Sequence, residues 1–285
     1  MMRFLAGVFD AEGYVSLSPG GSCTIGVNMC CETTISLFEG YFGGSKNLRK
    51  REHKKDVYTW NCLMKNQKRF ITEIEKFSIV KREQLLLLRE YLHLPRKERR
   101  ANRKKVVAQI AACKIPEQAS KESLDVETTE RPNEEFFQWL AGFIEGDGSF
   151  CCWESRNQPT KKPRFSTSIE ACNCHPEVIR YIKKRLEGSV GVNVQNKNPV
   201  WKWLCCPHNS LSVLARLYPH LIAKKEQCKL LMEFRTILAS RKRKPMGRGS
   251  GKCVRGGWDN PLFQFTEEEA SRMRAIICQI KLLHQ

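Results

Sequence analysis

Two acids, Glu12 and Asp147, close two stretches of the same pattern. Residues 5–13 read Leu5-Ala6-Gly7-Val8-Phe9-Asp10-Ala11-Glu12-Gly13, and residues 140–148 read Leu140-Ala141-Gly142-Phe143-Ile144-Glu145-Gly146-Asp147-Gly148. Each has the look of a short apolar helix ending in an acid, a small residue, a second acid and glycine. A carboxylate at a helix C-terminus is unfavourable by about 0.3–1 kcal/mol unless a cation offsets it, because the last carbonyls already carry partial negative charge. A single copy is explained by a turn, with the glycine in a left-handed conformation stopping the helix. Two copies ask for more. Ala6-Gly7 and Ala141-Gly142 would let two helix backbones approach closely and bring both carboxylates to one point. Paired carboxylates suit Mg²⁺, which is held by one or two of them plus substrate phosphate. Mn²⁺ or Ca²⁺ would take the same place.

On these residues the sequence resembles the LAGLIDADG homing endonucleases in their single-chain form, which carries two motif copies. The resemblance implies an α+β fold: two αββαββα halves related by a pseudo-twofold axis, a central two-helix interface, and two antiparallel sheets forming a saddle over DNA. It implies that the last acid of each motif, Glu12 and Asp147, binds the catalytic metal, whereas Asp10 and Glu145 match mainly structural positions. Lys81 and Lys224 match a basic residue kept near the metals. A polar residue at the end of each half's second strand falls near Cys31 in the first half and on Asn173 in the second. Asn173 can position water by hydrogen bonding and Cys31 does so poorly.

The elements that must position these residues follow from the chain order. After the first motif, Tyr14 to Leu17 and Thr24 to Cys30 read as a hairpin about Pro19-Gly20-Gly21. A helix over 33–42 ends at Gly43-Gly44. A second hairpin, Lys46 to Arg51 and Val57 to Met64, is the densest basic one in the chain, and helices over 68–76 and 81–92 complete the half. The second half repeats the order: strands Phe150 to Trp153 and Arg164 to Cys172, a helix over 177–186, strands Val190 to Gln195 and Trp201 to Cys206, then helices over 211–218 and 224–238. The duplication is registered outside the motifs too. Lys81-Arg82-Glu83-Gln84 and Lys224-Lys225-Glu226-Gln227 lie 143 residues apart, as do Trp60 and Trp203, while the motifs lie 135 apart. About 8 residues have therefore entered the second half, chiefly at its first hairpin tip, where length change is least costly. The matching lysines each start a final helix, a place the helix dipole does not favour for a cation.

The domain division that follows is 1–93 and 133–240 for the halves, with a connector over 94–132 and a tail over 241–285. The connector is basic over 96–105 and polar-acidic over 120–135, the latter reading as a flexible linker. The tail, a basic arm and a helix from Thr266, lies outside the repeat and is assigned no chemistry.

Composition agrees with a polyanionic partner. The 285 residues contain 49 Lys and Arg against 30 Asp and Glu, a formal charge of +19. Expected base-reading residues in the major groove are Asn28, Arg49, Arg51, Asn61, Arg164, Ser166, Ser168, Asn193, Gln195 and Lys202, with Lys46, Lys54 and Lys197 on the backbone or the same faces. A one-residue slip would invert any of these assignments. No apolar run approaches the roughly 20 residues of a membrane span, and the first helix begins too near Met1 to leave room for a secretory signal. The 14 cysteines read mostly as small buried hydrophobes. Cys172-x-Cys174-His175 and Cys205-Cys206-Pro207-His208 contain zinc-ligand types, but no Cys-x-x-Cys occurs.

The expectation is a monomeric, intron-encoded, metal-dependent endonuclease cutting a long double-stranded site to leave short 3′ overhangs. Its expected place is intracellular, in a mitochondrion or chloroplast. The alternatives are an RNA maturase acting on its host intron RNA and a catalytically silent DNA-binding regulator.

Overall fold

The computed structural model describes residues 1–115, 119–124, 126–155, 164–195, 198–240 and 265–284. The first half runs α1 (Met2–Glu12), β1 (Gly13–Leu17), β2 (Cys23–Met29), α2 (Glu32–Phe42), β3 (Ser45–Arg49), β4 (Val57–Asn61), α3 (Gln67–Ile74) and α4 (Arg82–His93). Next come α5 (Arg96–Ala112) and the short α6 (Lys121–Leu124). The second half repeats the plan as α7 (Glu134–Asp147), β5 (Gly148–Ser155), β6 (Arg164–Asn173), α8 (Pro176–Lys183), β7 (Gly188–Gln195), β8 (Asn198–Cys205), α9 (Ser210–Leu217) and α10 (Lys225–Ala239), followed by α11 (Glu267–His284). The two sheets have matching orders, β1-β2-β4-β3 and β5-β6-β8-β7, antiparallel throughout.

The halves meet through α1 and α7, and glycine sets how closely. A methyl group on Gly7 would lie 2.0 Å from the Trp139 carbonyl oxygen, and one on Gly142 would lie 2.0 Å from that of Phe4. Only a residue without Cβ permits that approach. The contact is reciprocal, since Phe4 and Trp139, like Gly7 and Gly142, hold matching places in the two motif helices. Neither motif ends on a left-handed glycine, contrary to the simple turn reading. Gly13 (φ −76°) and Gly148 (φ −115°) are extended and lead directly into β1 and β5. Glycine is needed there for space, because a Cβ would strike Phe9 or Ile144.

Each sheet buries one face against helices. Val15, Leu17, Ile25, Val27 and Trp60 form it in the first sheet, with Phe150, Ile169, Ala171 and Trp203 in the second. Trp60 stacks among Phe38, Phe42 and Phe70 at centroid distances of 5.2, 6.2 and 5.2 Å. Its indole Nε1 donates to the Gly43 carbonyl at 2.8 Å, and Gly43 ends α2 at φ +63°.

Two segments outside the halves differ from expectation. The backbone N–H groups of Thr129 and Glu130 donate to the Lys184 carbonyl at 3.0 and 2.9 Å, so this part of the acidic connector is pinned to the end of α8. The tail helix also belongs to the repeat. α5 packs on α4 and β1, and α11 packs on α10 and β5 in the matching place. The basic arm over 241–251 lies outside the described residues.

Gly7→Ala or Gly142→Ala should therefore cost about 3 kcal/mol through forced separation of the helices. Gly40, exposed in α2 with nothing within 4 Å of a would-be Cβ, is the control. Gly40→Ala should stabilise by about 0.5–1 kcal/mol. Urea unfolding midpoints of the three variants test the pair of expectations, and a tolerated Gly7→Ala would contradict the contact.

Candidate functional site

The first acid of each motif is consumed by the fold. Asp10, fully buried, accepts from the backbone N–H groups of Ile79 (2.7 Å), Val80 (3.1 Å) and Lys81 (3.2 Å), from Ser78 Oγ (2.5 Å), and from Trp139 Nε1 across the interface (3.0 Å). Glu145 accepts from the N–H groups of Ile222, Ala223 and Lys224 at 2.6, 3.0 and 3.4 Å. Each acid thus satisfies three consecutive backbone donors leading up to and including the N-cap residue of α4 or α10, and ties the start of that helix to the motif helix.

The second acids are treated differently. Glu12 and Asp147 stand at the C-terminal ends of α1 and α7, at the same pole of the interface. Gly146 keeps Glu12 close, since a Cβ on it would lie 2.6 Å from Glu12 Cγ. Glu12 makes no side-chain hydrogen bond among the described residues. Asp147 accepts one, from Asn173 Nδ2 at 2.6 Å. Burial pushes both carboxyls above their ordinary range; for Glu12 the charge of Asp147 adds to the push, and for Asp147 the Asn173 hydrogen bond offsets part of it. Two partly desolvated carboxyls, the Glu12 one raised further by the charge of Asp147, form a place where a divalent cation would be favoured over protons. The oxygen donors fit Mg²⁺ or Ca²⁺ chemistry.

The lysines provide the cation that such helix ends require. Lys224 Nζ donates to the carbonyls of Ile144 (2.7 Å), Gly148 (2.7 Å) and Gly146 (3.3 Å), and Lys81 Nζ donates to the Asp10 carbonyl at 2.5 Å. Both ammonium groups are lowered in pKa by burial and pulled back up by the acids around them, Asp10 first for Lys81 and Glu145 first for Lys224. They neutralise the motif-helix C-termini, so the acids lie beside positive charge instead of bare carbonyls.

Two clefts open on the acids. Glu12 lines one of about 390 Å³ with Asn28, Cys30, Arg49, Arg51 and Thr59. Asp147 lines the other, about 510 Å³, with Lys81, Asn173, His175, Lys114 and Tyr14. The halves are unequal here. Val27 and Ala171 hold matching places, paired with Gly13 and Trp60 and with Gly148 and Trp203. The counterpart of Asn173 is thus Met29, buried at 7 %, and not Cys31, which precedes α2 as His175 precedes α8.

Strand register assigns the remaining candidates to faces, because directly paired antiparallel residues point the same way. Asn28, Asn61 and Arg49 lie on the face of the first sheet opposite its core, and Asn193, Arg164, Ser166, Ser168 and Lys202 on the corresponding face of the second. Gln195 shares that face by backbone register; its side chain, and Lys197, lie outside the described residues. Lys46 departs from the expected group. It pairs with Trp60 on the helix-covered side and donates to Glu32 (2.8 Å) and Ser36 (3.1 Å) of α2. Arg51 and Lys54 sit in the loop beyond β3, where the Arg51 side chain donates to the Lys55 carbonyl at 2.9 Å. Lys202 is ion-paired with Glu170 at 2.9 Å, and Ser168 donates to the same carboxylate at 2.8 Å. Tyr14, Asn47 and Thr59 were missed and lie on the open face of the first sheet. Tyr14 crosses Gly26 to donate to Asn61 Oδ1 at 2.7 Å. For Asn47 and Thr59, two residues from Arg49 and Asn61, that period-two spacing was the available signal.

No family model matches the chain, and no curated protein matches it. Solved structures do. The LAGLIDADG homing endonuclease I-SmaMI bound to cleaved DNA is 14% identical at a TM-score of 0.60, over 97% of this chain and 95% of that one. I-SmaMI bound to uncleaved DNA target in the presence of calcium ions is 15% identical at a TM-score of 0.65, over 99% of both chains. The LAGLIDADG homing endonuclease I-GzeII in complex with DNA target is 14% identical at 0.60, over 97% of both.

Two measurements probe the charge arrangement. Lys224→Met strips three carbonyls of their donor and Lys81→Met one, so the first should cost more stability, by on the order of 2 kcal/mol in urea unfolding; equal losses would contradict it. Ionising Glu12 costs folded-state free energy because its pKa is raised. That cost is absent below its ordinary pKa and grows as pH rises through the folded value. Glu12→Gln should therefore raise the metal-free melting temperature by about 2 °C at pH 8, with the gain gone below about pH 4.

Proposed function

From the premise that the chain has the fold of the single-chain LAGLIDADG homing endonucleases, we propose that it is a site-specific DNA endonuclease. In this reading it hydrolyses one phosphodiester in each strand and leaves short 3′ overhangs. The observation that carries the proposal is the pair Glu12 and Asp147. They are half-buried at the same pole of the interface with raised pKa values, between two sheets whose open faces carry polar and basic residues on a chain of net charge +19. Nothing in the fold requires these two carboxylates there. Asp10 and Glu145 already satisfy the backbone leading into α4 and α10, and desolvating two more acids is unfavourable without a cation.

Glu12 and Asp147 would hold a divalent metal, magnesium by donor type. When bound it would supply an activated water and offset charge on the scissile phosphate. Asn173 Nδ2 holds one Asp147 oxygen and so fixes which way that carboxylate faces. Lys81 and Lys224 keep positive charge under both acids, lowering their pKa values towards ionisation at neutral pH. Arg49, Asn28, Asn47, Asn61 and Thr59 in one half, with Asn193, Arg164 and Ser166 in the other, would lie along the major groove and distinguish base pairs by their edges. The two I-SmaMI complexes and the I-GzeII complex, each with DNA, support the same use of this fold.

The test is digestion of a plasmid library of randomised or intronless host-gene sites, with Mg²⁺ and with EDTA, followed by sequencing of the ends. Defined double-strand breaks that need the metal are expected. Glu12→Gln and Asp147→Asn should each reduce cleavage by at least about 10²-fold while leaving metal-free DNA affinity within a few-fold. Binding without cleavage by the unaltered chain would sink the nuclease and leave a silent regulator or an RNA maturase. Arg49→Ala should weaken binding and flatten its salt dependence, because it removes a cation lying near the phosphates.

A further inference from the structure

A second cluster of ligand-type side chains lies apart from the acids. In the second sheet, Gly188 at the start of β7 pairs with Cys205 at the end of β8. The residues just outside that pair, Glu187 and Cys206, are thereby brought together, and the turn after β8 adds His208. One ligand atom from each of Glu187, Cys206 and His208 lies within 4.8 Å of the others. His208 Nε2 is 3.0 Å from Glu187 Oε2, and Asn209 Nδ2 donates to the same oxygen at 3.0 Å. Cys206 is half-buried and the other two are exposed, so the group can be reached from solvent.

The first half shows that the fold does not demand these residues. By register, the positions matching Glu187, Cys206 and His208 are Gly43, Leu63 and Lys65, which contain no ligand at all. Asn66, the match of Asn209, instead donates to the Phe42 carbonyl at 2.7 Å. The ligand set therefore appears where only the second half carries it, and with an asparagine turned to orient its carboxylate. The group is also distant from Asp147. Asn173, which touches Asp147, pairs with Trp201, and Cys206 lies five residues further along that strand direction, roughly 16 Å at the rise of an extended chain.

We propose that Glu187, Cys206 and His208 form a zinc-binding site that clips the α8–β7 connection to the turn following β8. A thiolate, an imidazole and a carboxylate match the mixed N, S and O preference of Zn²⁺ and are a poor match for Mg²⁺, which takes oxygen. Three protein ligands leave the fourth tetrahedral position to water. On binding, the Cys206 thiol releases its proton to solvent. His208, whose Nε2–H faces the Glu187 carboxylate in the free protein, takes the Nδ1–H tautomer by proton exchange with solvent so that the Nε2 lone pair binds the cation, and Asn209 keeps its hydrogen bond to the carboxylate as an outer support. The inference does not depend on the nuclease reading, because no atom of the Glu12 and Asp147 pair takes part.

The experiment uses the full chain, stripped with chelator, reduced and titrated with Co²⁺ as the spectroscopic probe. One equivalent should give tetrahedral d–d absorption with a thiolate-to-cobalt charge-transfer band, displaced by Zn²⁺ and not by excess Mg²⁺. An all-oxygen site at Glu12 and Asp147 cannot give that band. Cys206→Ser should abolish it, and His208→Ala and the exposed Glu187→Gln should each weaken cobalt affinity at least about tenfold. Cys174→Ser, in the other cysteine- and histidine-containing stretch, should leave it intact. Zinc should also raise the melting temperature of the unaltered chain and not that of Cys206→Ser. Absence of the band in the unaltered chain, its persistence in Cys206→Ser, or its loss in Cys174→Ser would overturn the assignment. If Cys206→Ser fails to fold, Glu187→Gln and His208→Ala decide the matter from the solvent side.

Discussion

Everything in this molecule depends on two peptide backbones touching. At Gly7 and Gly142 the motif helices approach until a single methyl group would sit 2.0 Å from a carbonyl oxygen. A separation so small is a rigid constraint, because packed backbone has no rotamer into which it can relax. It fixes the relative height of the two helices, hence the relative height of their last residues, hence the meeting of Glu12 and Asp147. Trp139, reaching from one helix to Asp10 on the other, adds a directional bond to a contact that is otherwise steric.

Four acids sit in two motifs, and position along the helix decides what each can do. Asp10 and Glu145 face inward to the helix starts after α3 and α9, where backbone donors wait; saturated by them, they act as staples. Glu12 and Asp147 lie two residues further on, rotated away from those donors and short of partners. The adjoining lysines resolve the conflict of placing a carboxylate at a negative helix pole, since each Nζ is bonded to the carbonyls of that pole. A cation placed at the start of α4 or α10, which the dipole of that helix opposes, is in this way explained by the dipole of a different helix.

Much of this frame was legible in the chain. The motif helices, both pairs of hairpins and the tryptophans at their centre follow from local periodicity and from spacing between repeats. Legibility failed where a single residue of register matters. Lys46 looks like its basic neighbours, yet it alternates to the covered side and is held by Glu32. The match of Asn173 was misplaced for the same reason: the offset between halves is 144 at β6 and β7 but 143 at the tryptophan strand β8, so the spacing of Trp60 and Trp203 does not carry over to Asn173. Gly13 and Gly148 were read through the usual role of glycine at helix ends, whereas what they supply is room. α11 was unreadable as a repeat because its partner α5 follows α4 after two residues, while α11 follows α10 after a segment of more than twenty-five.

The contact between α1 and α7 is isologous: each helix offers the other the same patch, glycine to the same turn of its partner. Two separate copies of one half meeting in this way would present identical faces. Fusing the halves into one chain removes that bond between symmetry and composition. Here the match of Tyr14 is Ser149, that of Gly26 is Glu170, and that of Met29 is Asn173. The scaffold has kept its twofold axis while its open sheet faces have lost one, so anything lying across both sheets would be free to differ at its two ends.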